Sequence, residues 1–213
     1  MVKIKKILLI LFLLLTVTIS GMATSYTSQY PTQDDDHVKS TTRYDDVSYW
    51  AYFATDPTKS LTGTRGGTSW ASTYGTITDQ RFHIDLGSAK IIRRIYYENG
   101  HHNGGVTVSG AKNFTFWGSN TGAGTFDDLV YANDEGWTQI TTSQSTFDQH
   151  VTSDEADPKY ITATNTIAYR YYAFKFADIW GVEDLMNIRR IELQTEDGYG
   201  EGKTSIMFTL GDF

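Results

Sequence analysis

One stretch of the chain alternates most regularly between apolar and polar side chains, residues 80–87 with the sequence QRFHIDLG. Phe82 and Ile84 fall on one face, and His83 and Asp85 fall on the other. Side chains two residues apart share a face of a β-strand, so this period predicts a half-buried strand that ends at the glycine.

Further segments show the same two-residue period. They are residues 91–98, 113–118, 136–140, 169–177 and 188–195, and a last strand is predicted over residues 203–213. No long amphipathic helix pattern lies between them. Strands that recur with glycine-rich turns and without helices predict a sandwich or a jelly roll.

Six segments, taken in chain order, resemble the signature segments of one family. They are TSWAS at 68–72, FHIDLGSAKII at 82–92, FTFWGSN at 114–120, GWTQI at 136–140, AYRYYAF at 168–174 and IRRIEL at 188–193. They resemble the discoidin family, which includes coagulation-factor C-type domains and bacterial carbohydrate-binding modules with a galactose-binding-like fold. The resemblance implies an all-β fold, an antiparallel discoidin-like jelly-roll β-sandwich in a single domain at residues 48–196. The family often closes its ends with a disulfide, whereas this chain has no cysteine.

The two ends of the chain differ from this central domain. Residues 1–23 combine early lysines, an apolar run and small residues before a cleavage point, which is typical of a secretory signal peptide. A membrane anchor is the alternative, but the run is shorter than the ~20 residues that span a bilayer. Residues 24–47 are polar and predict a solvated N-terminal arm, the alternative being an extended segment that orders against a neighbour. Residues 197–213 are a C-terminal tail or extra strand.

Composition narrows the classes of partner. Three of the 18 Lys and Arg lie in residues 1–23, which hold no Asp or Glu, so the rest of the chain carries −10. Such a surface repels phosphate backbones and anionic lipid, which argues against nucleic-acid and membrane binding. No nucleophile, base and orienting group occur at a recognised spacing, so the sequence predicts a protein without catalytic activity.

A glycan or surface polysaccharide is the predicted ligand. Sugars bind to an aromatic ring with a few placed polar groups around it. In the resembled modules these groups come from loops at one end of the sandwich. The candidates are Trp180, His101, His102, Asn99, Asn103, Trp70 and Tyr74. For each tryptophan, packing in the core is the alternative, because tryptophan is highly buried on average.

A structural Ca²⁺ is also implied by the resemblance, since the family frequently holds one with loop carbonyls and a few carboxylates. Asp56 matches the family's aspartate ahead of the T-x-W segment, and Glu192 matches its last-strand glutamate. The alternative is that Asp56 caps a turn before Pro57 and that Glu192 faces solvent.

Two functions remain open. The first is a secreted glycan-binding or adhesive module. The second is a structural subunit of a filament, an envelope layer or a virion appendage, in which copies of the chain associate through residues 24–47 and 203–213. A hydrolase ranks last.

Overall fold

The computed structural model of the protein describes residues 24–199. The strands are β1 (Tyr26–Gln29), β2 (Val38–Ser40), β3 (Trp70–Ala71), β4 (Gln80–Lys90), β5 (Arg94–Asn99), β6 (Phe114–Ser119), β7 (Thr138–Thr142), β8 (Lys159–Thr164), β9 (Tyr169–Phe176) and β10 (Asn187–Glu196). One short helix, α1 (Ala123–Asp127), and 3₁₀ turns at Ala51–Ala54 and Thr107–Ser109 complete them. The predicted all-β class is confirmed.

The strands form one curled sheet whose two halves face each other. One half runs β1-β10-β5-β8 and the other runs β7-β6-β9-β4-β2, and β7 pairs with β8 to join them. Each paired strand in this order is antiparallel to its neighbour. The predicted discoidin-like β-sandwich is therefore confirmed.

Aromatic rings fill the space between the halves. Phe82 of β4 lies opposite Phe174 of β9, and both are buried. Phe147, from the segment between β7 and β8, stacks on Tyr97 with ring centroids 4.0 Å apart. The residues that alternate with these rings on β4 point away from the core, but Arg81, His83 and Asp85 are buried too. The prediction of a half-buried strand is therefore wrong, since the first half of β4 is covered on both faces.

The segment 24–47 is part of the sandwich, and the prediction of a solvated arm is wrong. β1 pairs with β10, and β2 pairs with β4. These strands close both edges of the curled sheet. Pairing of this kind uses backbone groups and needs few apolar side chains, although Val38 of β2 is fully buried.

Asp134 joins two buried cations on the outer face of β4 and β9. It accepts hydrogen bonds from the guanidinium of Arg81 and, at 2.8 Å, from the ammonium of Lys175. The Arg81 side chain is 1 % exposed and that of Lys175 is 11 % exposed. The connection between α1 and β7 supplies the carboxylate, so this ion pair fixes that connection over the sheet.

We expect Asp134→Asn to lower the free energy of unfolding by about 3 kcal/mol, because it leaves two buried cations without their counter-charge. Urea unfolding followed by circular dichroism measures this loss. Asp127→Asn is the control: its pair with Lys39 is half exposed and contributes roughly 0.5 kcal/mol. Equal, small losses in both variants would contradict the assignment.

The predicted signal peptide at residues 1–23 and the predicted last strand at 203–213 lie outside the described residues. Within residues 24–199, no helix has the length and apolar character to cross a membrane.

Candidate functional site

Three connections meet at one end of the sandwich. β4 and β10 begin there, whereas β5 and β9 end there, because antiparallel neighbours run in opposite directions. The Gly75 N–H donates to the Asp184 carbonyl at 2.6 Å, and the Gly181 N–H donates to the Val108 carbonyl at 3.2 Å. The connections β3–β4, β5–β6 and β9–β10 are thus tied to one another. We call this region the loop end.

Tyr74 is the most exposed aromatic ring among the predicted ligand residues. Its side chain is 64 % exposed on the β3–β4 connection. The Asp184 carboxylate raises the pKa of Tyr74, and the nearby Tyr44 adds to that rise. The loop end therefore presents an open ring whose polar edge already faces a carboxylate.

A second run of aromatic rings lies beside Tyr74, and sequence reasoning missed it. The Tyr44 N–H donates to the Ala71 carbonyl at 2.9 Å, which places Tyr44 next to the β3–β4 connection. Tyr44 is 46 % exposed, and its ring lies 5.2 Å from that of Tyr49. The Arg43 guanidinium lies 3.9 Å from the Trp50 ring centroid. We call residues 43, 44, 49, 50 and 74 the aromatic surface. Three aromatic rings within or just beyond the polar segment 24–47, those of Tyr44, Tyr49 and Trp50, were the signal that could have found it.

Trp180 lies half-buried at the loop end. Its indole N–H donates to the Phe147 carbonyl at 2.9 Å, and the Lys112 ammonium lies 5.0 Å from its ring centroid. The ring is therefore held in one orientation with part of its surface in solvent. Its role as a ligand residue stays a prediction.

Trp70 and Asn99 are structural, and their prediction as ligand residues is wrong. Trp70 is fully buried between Phe82 and Phe176, and its indole N–H donates to the Thr42 carbonyl at 3.0 Å. The Asn99 amide nitrogen is buried and donates to the carbonyls of Ala111 and Asp148 at 2.7 and 2.9 Å. Neither side chain has surface left for a ligand.

His101 is also structural, and its prediction as a ligand residue is wrong. Its Nε2–H donates to the Leu61 carbonyl (2.9 Å), its Nδ1 accepts the Gly104 N–H (3.0 Å), and its ring stacks on His150 at 4.0 Å. Burial lowers the pKa of His101 to about 4, so the ring is neutral at ordinary pH. Gly104 itself has a φ of +71° and no room for a Cβ against the backbone of Ser153 and Asp154.

His102 and Asn103 follow on the surface of the same connection. His102 is half-buried and its Nδ1 accepts the Arg65 N–H at 3.4 Å, whereas Asn103 is exposed with a φ of +50°. Both stay predictions as ligand residues.

The predicted metal ligands are occupied within the fold. Asp56 Oδ1 accepts the Thr58 N–H at 2.9 Å and its hydroxyl at 2.7 Å, so Asp56 caps a turn. Glu192 accepts the Ser28 hydroxyl at 2.6 Å and the Arg190 guanidinium at 3.2 Å. Across residues 24–199, no three His, Cys, Asp or Glu side chains are grouped as metal ligands. The pair of carboxylates does not fit the predicted Ca²⁺ site.

Solved structures share this architecture, although no family model and no curated protein matches the sequence. The chitosan-binding module 1 of a chitosanase/glucanase from Paenibacillus sp. IK-5 is 18 % identical, with a TM-score of 0.52 over 78 % of this chain and 98 % of that one. The family 32 carbohydrate-binding module of C. perfringens NanJ, solved with galactose, is 13 % identical, with a TM-score of 0.51 over 80 % of this chain and all of that one. The module from Streptococcus pneumoniae EndoD is 11 % identical at a TM-score of 0.52, covering 78 % of this chain and 98 % of that one.

The chain has the fold of the family 32 carbohydrate-binding modules. At these identities the likeness concerns the fold, because one fold carries many functions. The resemblance read from the sequence is confirmed at that level.

Proposed function

We propose that this chain is an exported, non-catalytic glycan-binding module whose ligand contacts the aromatic surface. The observation that carries the proposal is the exposed Tyr74 ring on a connection that the Gly75 N–H ties to the Asp184 carbonyl at the loop end. The solved modules of the same fold support it, since one binds chitosan and another was solved with galactose.

The chemistry of the aromatic surface suits a sugar. The flat rings of Tyr74 and Tyr44 offer apolar faces to the C–H side of a pyranose ring. Asp184 can accept hydrogen bonds from hydroxyl groups, and Nη2 of Arg43 can donate them, since Nε and Nη1 of Arg43 already donate to Asp46 and Asp35. A surface with apolar rings and a few oriented polar groups binds by contact and orientation, which requires no reacting side chain.

We expect Tyr74→Ala to weaken glycan binding roughly 30-fold, the loss typical of a central aromatic contact. Galactose and chitosan oligosaccharides are the first probes, on an array and then by isothermal titration calorimetry. Tyr74→Phe keeps the ring, so we expect it to retain most of the affinity and to lose only the contribution of the hydroxyl.

Tyr160→Ala is the matched control, because Tyr160 is 51 % exposed on β8 and does not belong to the aromatic surface. We expect this variant to bind like the wild type. If Tyr74→Ala binds a glycan as tightly as Tyr160→Ala and the wild type do, the ligand lies elsewhere and the assignment of the aromatic surface as the binding site is wrong.

The alternative of a self-assembling subunit gains no support from residues 24–47. Their strands pair within the same chain, where they cover the edges of β10 and β4. Association through residues 203–213 stays a prediction, since those residues are outside the described part of the chain.

A further inference from the structure

The connection between the first 3₁₀ turn and β3 turns its oxygen atoms toward a single side chain, that of Arg189 on β10. Nη1 of Arg189 donates to Thr62 O at 3.1 Å and to Thr68 Oγ1 at 3.0 Å, with Ser60 O and Thr64 O at 3.4 Å. Nη2 donates to Gly63 O at 2.6 Å and to His101 O at 3.1 Å. We call these six oxygen atoms the oxygen cage.

The oxygen cage is richer in acceptors than a guanidinium needs. The two terminal nitrogens carry four hydrogens, whereas six oxygens surround them, so some hydrogens are shared. Nε of Arg189 is buried with no hydrogen-bond partner. The surroundings are thus matched to a positive charge more closely than to the donor pattern of the guanidinium.

The charge of Arg189 is buried among neutral groups. Its side chain is fully buried, and the six cage atoms are backbone carbonyls and one hydroxyl. Burial lowers the pKa of Arg189 to about 10, which Asp154 and Glu98 oppose from a distance. The guanidinium therefore stays charged at neutral pH, and the dipoles of the backbone carbonyls stabilise its charge in place of a counter-ion.

Six oxygens also match the lower ligand number of a hard cation such as Ca²⁺, whose sites hold carboxylates beside neutral oxygens. The carboxylates that would complete such a site are engaged elsewhere, Asp56 with Thr58 and Glu192 with Arg190. The guanidinium fills the space between the loop carbonyls. A metal ion and the Arg189 side chain cannot occupy that space together.

We propose that Arg189 is a built-in cation that orders residues 60–68 in place of a metal ion. The ordering extends to the loop end, because the His101 carbonyl is one of the cage atoms and the Asn103 N–H donates to Gly63 O at 3.0 Å. The chain therefore keeps this connection folded at any Ca²⁺ concentration. Shortening Arg189 opens the oxygen cage to a small cation from solution.

The test is the melting temperature of the purified chain in EDTA and in millimolar CaCl₂, followed by circular dichroism. We expect the wild type to melt at the same temperature in both. We expect Arg189→Ala to melt about 10 °C lower, because buried carbonyls lose their donors, and to regain part of that loss in CaCl₂ or in ethylguanidinium. Arg81→Ala is the control, since it removes a buried guanidinium from the outer face of β4, outside the cage; we expect it to gain nothing from CaCl₂.

Three results would overturn the proposal. The first is a wild type that melts earlier in EDTA and recovers in CaCl₂. The second is an Arg189→Met variant as stable as the wild type, which would show that the charge is dispensable. The third is an Arg189→Ala variant that folds and responds to neither cation. If Arg189→Ala does not fold, the wild type in EDTA and in CaCl₂ still tests the proposal. Arg189→Lys also tests it, because this variant keeps the charge and is expected to fold independently of Ca²⁺.

Discussion

The free energy of unfolding should fall by about 5 kcal/mol between pH 6.5 and pH 4, because two buried histidines are neutral in the folded state at neutral pH. Burial lowers the pKa of both His83 and His101 to about 4 from the ordinary value of 6.5. Over this range the unfolded chain goes from half to nearly full protonation of both histidines, whereas the folded chain reaches half protonation only at about pH 4. Each histidine contributes about 2.5 kcal/mol of the loss, which begins about one pH unit above 6.5.

The hydrogen bonds of His83 explain why it resists protonation. Its Nδ1–H donates to the Phe126 carbonyl at 2.7 Å, and its Nε2 accepts from the Arg81 guanidinium at 3.5 Å. A second proton on Nε2 would face that positive charge. His101 shows the same arrangement, with one ring nitrogen donating and the other accepting.

Urea unfolding at a series of pH values from 8 to 4 measures the effect on stability. His83→Gln retains a donor for the Phe126 carbonyl but does not titrate, so we expect it to be less stable at neutral pH and to lose about half as much stability on acidification as the wild type. A wild type whose free energy of unfolding is constant between pH 6.5 and pH 4 would disprove the neutral buried histidines.

Replacing Trp70 by alanine is expected to lower the free energy of unfolding by about 4 kcal/mol, since it removes a large ring from the centre of the core. Trp70 packs against Phe82 and Phe176, at ring-centroid distances of 5.4 and 6.3 Å. Its removal also leaves the Thr42 carbonyl without its hydrogen-bond donor. Thermal and urea unfolding measure the loss, and any weaker glycan binding should follow the unfolded fraction.

Tyr74→Ala is the variant to compare with Trp70→Ala. Trp70 and Tyr74 both belong to the predicted ligand set, but only Tyr74 is exposed. We expect Tyr74→Ala to change stability by no more than about 0.5 kcal/mol while it weakens binding. A Trp70→Ala variant that stays as stable as the wild type but loses its ligand would restore Trp70 to the binding site.

The strands that sequence reasoning found are those whose side chains differ between the two faces. β4, β9 and β10 carry aromatic or aliphatic residues at every second position, and those residues line the core, although the side chains between them are largely buried as well. β1 and β8 were missed because their sequences, YTSQ and KYITAT, carry few apolar residues. The positions of β1 and β8 in the sheet depend on backbone pairing with strands distant in sequence, and a side-chain pattern does not predict such pairing.

The candidate site was harder to predict than the fold. A sequence cannot show whether a tryptophan such as Trp70 faces the core or a loop when its strand is two residues long. Arg189 falls on the same face as Ile191 and Leu193, which already indicates an inward charge in need of acceptors. Those acceptors lie 88 or more residues away, so only the folded chain brings them together.

The position of β1 has a consequence for how this chain is made. Ser28 on β1 and Glu192 on β10 are hydrogen-bonded partners 164 residues apart. β1 is the first of the described strands to be synthesised and β10 is the last, so β1 cannot pair with β10 until almost the whole domain has been translated. Folding rates fall as contacts become more distant in sequence, and such β topologies fold in about milliseconds to seconds. The pairing of β1 with β10 can therefore form only after the described chain has been synthesised up to β10.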